Sequence, residues 1–81
     1  MTEKTSDESV LKKISRLVEE EQALYAAEPV DDHGLTRLEA VKVELDQCWD
    51  LLRQRRALRE FGKDPDQAKV RPASVVERYE Q

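Results

Sequence analysis

Four places in this 81-residue chain carry residue types that can do chemistry. Asp31, Asp32 and His33 offer oxygen and nitrogen donors of the kind that bind a divalent metal. All three sit in one short polar turn with no second cluster to complete a coordination shell, and helix capping explains the aspartates better. The Glu19–Glu21 run supplies carboxylates but lacks the Glu-x-x-His pairing that builds di-iron centres in helical bundles. Cys48 has no histidine placed to act as its base, and its position on a helix seam makes it a small buried hydrophobe. No metal, cofactor or catalytic residue is expected, and the chain is read as a non-enzyme.

The fourth place is basic: Arg53, Arg55, Arg56, Arg59 and Lys63 crowd the end of one long helical stretch whose earlier part holds Glu39, Glu44, Asp46 and Asp50. Acid first and base last complements the helix macrodipole, so helix-end chemistry with ion pairing is the plain reading. The sharper reading makes the cluster a partner patch, for nucleic-acid phosphates or for an acidic protein surface. The arginines do not interleave with aromatic residues, which leaves a base-stacking platform without support. A net charge of −4 also argues against a general nucleic-acid binder. A nucleic-acid-associated protein is therefore kept as the alternative.

The element that positions these residues runs from Leu35 to Phe61. Leu38, Val41, Leu45, Cys48 and Leu52 follow at steps of three and four, the seam of a helix packed along another helix, and Leu35 and Trp49 widen it. Asp31 or Asp32 can cap its start; Gly62 suits the position just past its end, with Pro65 beyond. A first helix is expected from Ser6 or Asp7 to about Ala27, with Val10, Leu11, Ile14, Leu17, Val18, Leu24 and Tyr25 as its apolar stripe. Glu21 interrupts that stripe, so it lies at the edge or meets a basic partner. Residues 1–5 are polar and expected to fray. Between the helices, Glu28 to Gly34 forms a short turn in which Pro29 stops the first helix.

The predicted fold is all-α: an antiparallel helical hairpin, about 6–27 and 32–61, followed by a tail over 62–81. Pro65 and Pro72 make the tail extended, Pro72-Ala73-Ser74 opens a short terminal helix, and Val70, Val75, Val76 and Tyr79 give it apolar surface for docking. Whether it docks on its own hairpin or on a partner's is left open. Hydrophobic residues make up 38% and charged residues 40%, too thin a core for two helices to satisfy alone.

Folding the helices back sets Lys12, Lys13 and Arg16 near the late arginines and Glu19–Glu21 near the early acids, a poor intrachain match. An antiparallel second copy turns that mismatch into a match. The expected assembly is a four-helix antiparallel homodimer anchored by Leu38, Val41, Leu45, Cys48, Trp49 and Leu52, with Trp49 the largest buried group.

The string ELDQCWDLLRQRRA (Glu44–Ala57), with Gly62, Asp64-Pro65, Val70-Arg71-Pro72, Val76-Glu77 and Tyr79 after it, resembles a small uncharacterised family of actinobacterial proteins. The likeness covers the second helix and the tail, whereas the first helix matches only as a generic amphipathic segment. It implies that helix and tail belong together in a small cytoplasmic protein, and it carries over no catalytic or binding role. Nothing near the N-terminus reads as a signal peptide, one cysteine forms no intrachain disulfide, and no apolar run reaches the roughly 20 residues that span a bilayer. A cytoplasmic protein without membrane contact follows. Its function is read as a structural or protein-interaction module working as a helical homodimer.

Overall fold

The computed structural model describes residues 6–27 and 31–76; the expected fraying of residues 1–5, the helix stop at Pro29, and Glu77 and Tyr79 of the tail lie outside them. Helix α1 spans Asp7–Ala26. Ser6 caps it: its hydroxyl accepts from the Ser9 N–H at 3.1 Å, while the Ser9 hydroxyl accepts from the Ser6 N–H at 3.0 Å, a reciprocal capping box. Helix α2 spans Asp32–Glu60, with the Asp31 carboxylate accepting from the Gly34 N–H at 2.7 Å.

Gly62, at φ +71°, closes α2 from the left-handed region. There its N–H reaches the Arg59 carbonyl at 3.0 Å and the Lys63 N–H reaches Leu58 at 2.7 Å, which satisfies two carbonyls of the last turn. A single 3-10 turn at Pro65–Gln67 and the four-residue helix α3, Ala73–Val76, complete the described chain. All of its regular structure is helical.

The two long helices pack as a hairpin. Val10, Ile14 and Leu17 of α1 interlock with Val41, Cys48 and Leu51 of α2, and Val18, Leu24, Leu45 and Leu52 pack at the margin. Val41 is fully buried. Because the side chain is wholly enclosed in this core, Val41→Ala is expected to cost about 2 kcal/mol in denaturant unfolding. Leu51, which the sequence reading passed over for Leu52, is buried in this core: it lies three residues beyond Cys48 and four before Arg55, on the same inward face.

The charge expectation needs correction: the hairpin is electrostatically well matched within one chain. Asp7 at the start of α1 meets Arg55 and Arg59 near the end of α2. Near the other end, Arg37 grips Glu20 through two nitrogens and lies 3.7 Å from Glu44. The blocks Lys12-Lys13-Arg16 and Glu19–Glu21 dominated the sequence pattern, but the single residues Asp7 and Arg37 decide the pairing, because they sit where the helices face each other. Glu21 takes the edge position, close to Lys42, Leu45 and Trp49.

Candidate interaction surface

Three flanks of α2 carry different chemistry. The first receives the chain beyond Gly62. Asp50 is almost wholly buried, at 1% exposure, and is clasped by Arg71: Nε donates at 2.9 Å to Oδ2, and Nη2 donates to Oδ1. Gln54 spans the gap beside it, donating to Asp50 Oδ2 at 2.8 Å and to the Lys69 carbonyl at 2.7 Å, and accepting from the Lys69 N–H at 3.3 Å. Gln47 donates to the Arg71 carbonyl at 3.1 Å. Residues 65–71 thus run back along α2, from Arg55 past Gln54 to Gln47, and Val76 is buried beyond them at 1% exposure. The Arg71 guanidinium holds the Asp50 carboxyl below its usual range, against the upward push of burial.

The second feature is the arginine cluster, which the helix disperses. Arg55 is buried at 5% exposure and forks between three groups: Asp7 at 2.7 Å, Asp66 at 2.8 Å and the Pro65 carbonyl at 3.3 Å. Arg59 donates through Nη2 to Asp7 Oδ2 at 2.7 Å and through Nη1 at 3.1 Å to the Oδ1 that Arg55 also holds. Together they lower the Asp7 carboxyl, Arg59 most and Arg55 next. Arg56 pairs along the helix with Glu60 at 3.3 Å, both well exposed. Arg53 and Lys63 are exposed as well. Of the five residues in the sequence patch, two therefore hold the fold and three reach solvent.

The third flank is open. Leu35, Lys42 and Trp49 recur every seven residues on α2, as do Leu11, Val18 and Tyr25 on α1, so each set forms one stripe. Lys42 lies 5.7 Å above the Tyr25 ring, which joins the two stripes into one face. Leu11 is 47% exposed, Tyr25 54%, Leu35 50% and Trp49 46%. Trp49 lies roughly 160° around α2 from Gln47, so this face looks away from the tail. The anchor residues read from the sequence consequently divide. Leu38, Val41 and Cys48 are buried inside the hairpin, Leu45 and Leu52 lie at its margin, and Trp49 projects from the open face.

The remaining chemical candidates have local explanations. Asp31 spends its carboxylate on the α2 cap, and His33 is exposed. Among the described residues, no three His, Cys, Asp or Glu side chains converge on a point that could hold a metal ion. Burial pushes the Cys48 thiol up, away from the thiolate a nucleophile needs. A cavity of about 250 Å³ beside it is lined by Ser9, Lys13, Glu44 and Gln47 together with Val10, Leu51 and Val70, and the Ser9 hydroxyl there donates to the Ser6 carbonyl at 2.9 Å as part of the α1 cap. Among the described residues no helix is long and apolar enough to cross a membrane.

Sequence reasoning missed Asp50, Gln54, Arg71, Asp7 and Arg37. One signal was present: Val41, Cys48 and Arg55 stand at steps of seven, so the seam itself runs into Arg55 and marks it as the inward-facing arginine.

Set against known proteins, the chain matches over residues 6–81 a family model described as a protein of unknown function, DUF2630. Uncharacterised proteins of Mycobacterium bovis and Mycobacterium tuberculosis are 51% identical to it over 83 aligned residues, covering 94% of this chain and 92% of theirs. No solved structure matches it.

Proposed function

The chain belongs to the DUF2630 family, and from the surface just described we propose that it is a non-enzymatic helical interaction module that works as a homodimer through its open face. The observation that carries this reading is Trp49. A tryptophan left 46% exposed, in line with Leu35 and on the face that Tyr25 and Leu11 share, presents a large apolar group to solvent. Such a face is the usual place where small helical chains complete their core with a second copy. The docked tail supports the reading, because it covers the opposite flank of α2 and leaves this one open. The nucleic-acid alternative draws less support, since Arg55 and Arg59 are committed to Asp7 and Asp66 within the chain.

Light scattering tests the proposal. The expected mass is twice that of the 9.4 kDa chain at micromolar concentration. Trp49→Glu places a charge at the centre of the face and is expected to return the protein to the single-chain mass with its helix content intact. A wild-type protein that keeps the single-chain mass up to about 100 µM, well into the range of weak association, overturns the homodimer.

A further inference from the structure

The open face contains a pattern that selects how the second copy must lie. In a two-fold interface, residue i of one subunit touches j of the other, and j touches i. When a helix packs antiparallel on its own copy, touching residues are therefore symmetric about the axis. On α2, Leu45 and Leu52 form one such apolar pair, and Asp46 and Arg53 one of opposite charge; the midpoints of both fall within half a residue of Trp49. On α1, Leu11 and Val18 form the apolar pair and Lys12 and Glu19 the charged one, with midpoints within half a residue of Ser15.

Trp49 and Ser15 also stand at the same height in the hairpin. Counting seven residues inward from the Lys42–Tyr25 contact reaches Trp49 on α2 and Val18 on α1; counting six inward from the Arg55–Asp7 contact reaches Trp49 and Lys13. Ser15 lies between Lys13 and Val18. Two helices thus place four complementary pairs about one level, against one like-charged pair, Lys42 and Arg56, which is also symmetric about Trp49.

We propose that the second copy crosses the open face antiparallel, α2 on α2 and α1 on α1, about a two-fold axis level with Trp49 and Ser15. This deepens the homodimer reading and rests on it. Leu45 then packs against Leu52 of the partner subunit, Leu11 against the partner's Val18, and the two Trp49 rings meet at the axis. Asp46 faces the partner's Arg53, and Lys12, which pairs with Glu8 at 3.4 Å along its own helix, faces the partner's Glu19, at the rim where such pairs fix register more than affinity. Ser15, being small, lets the α1 helices approach. The other two-fold arrangement, α2 over the partner's α1, brings Arg53 to the level of Leu11 and Asp46 to that of Val18, charge against apolar groups. A face two helices wide and about 30 Å long covers roughly 600 Å² per copy, or about 1,200 Å² in all, the lower edge of stable interfaces.

Cross-linking and a charge swap test the register. In a Cys48→Ala background, Ser15→Cys is expected to cross-link efficiently with a bismaleimide matched to an interhelical spacing of about 8–10 Å. Gln22→Cys, about 20 Å from its own copy in this arrangement, should not. With Cys48 retained, Asp46→Arg is expected to weaken the dimer about tenfold, and adding Arg53→Asp to restore it to within about threefold. Cross-linking through residue 22 instead of 15, or a charge swap without rescue in a protein that still dimerises, overturns the register and leaves the homodimer standing. A wild-type chain that does not associate overturns both.

Discussion

Arg71→Ala is expected to lower the unfolding free energy at pH 7 by about 3 kcal/mol, a large part of the roughly 4–12 kcal/mol available to a chain of this length. The reason lies in what stays behind. Asp50 is 1% exposed, and without the guanidinium Gln54 is the donor left to its carboxylate among the described residues. Arg71 itself is 37% exposed in its side chain, so water can enter part of the vacated space; that keeps the loss at the low end of the range for a broken buried pair. Replacing both partners, Asp50→Leu with Arg71→Met, is expected to recover most of the loss, because two buried apolar groups of similar size leave no orphaned charge. Urea titration of the two singles and the double gives the coupling directly. A double variant no more stable than Arg71→Ala contradicts this account.

The same pair sets a pH signature. Arg71 lowers the folded-state pKa of Asp50, so the stabilisation is present above the carboxylate's unfolded range near 4 and is lost as pH falls through the lower folded value. Asp7, lowered by Arg59 and Arg55, and Glu20, lowered by Arg37, act with the same sign. In Arg71→Ala the chief lowering partner is gone while burial, the Gln54 hydrogen bond and the Arg53 charge remain, so the Asp50 carboxyl rises and the variant loses less on protonation than the wild type does. The stability gap between them should be widest near neutrality and narrow toward pH 3.

How the chain could be read in advance differed by the range of the interaction. The caps were visible because they are local: Ser6 and Asp31 stand just ahead of their helices, and Gly62 stands just after the last turn of α2. The hairpin followed from the apolar stripes of the two long helices. Leu38, Val41 and Cys48 were recognisable as inward because their spacing repeats. Asp50 was not, because α2 has a second covered flank, created by a segment 21 residues further on, and nothing in the helical period announces a neighbour that arrives from outside. Arg71 looked like a tail residue for the same reason. The division of the arginine cluster was half visible: the step of seven from Val41 through Cys48 singles out Arg55, but the partners Asp7 and Asp66 lie 48 and 11 residues away, and only the folded hairpin brings them together.

Arg55→Ala is the second substitution expected to cost heavily, at about 2–3 kcal/mol. Asp7 and Asp66 are each more than a third exposed and remain hydrated when the guanidinium is removed, so the charge left behind is cheaper to keep than Asp50. The loss comes instead from the buried stem of the side chain and from its fork, which joins the first turn of α1, the body of α2 and the 3-10 turn at Pro65. Lysine retains the charge but cannot reach two carboxylates and a carbonyl in one plane, so Arg55→Lys should recover less than half of the loss. Arg56→Glu, at an exposed site that pairs with the exposed Glu60, should change stability by well under 1 kcal/mol. This contrast also separates the two readings of the cluster. If the arginines serve the fold, Arg55→Glu lowers the melting temperature sharply, Arg56→Glu barely moves it, and neither has nucleic-acid binding to lose. If they bind phosphate, the wild-type protein retains nucleic acid at low salt with an affinity that falls steeply as salt rises, and Arg56→Glu weakens that binding without a matching loss of stability.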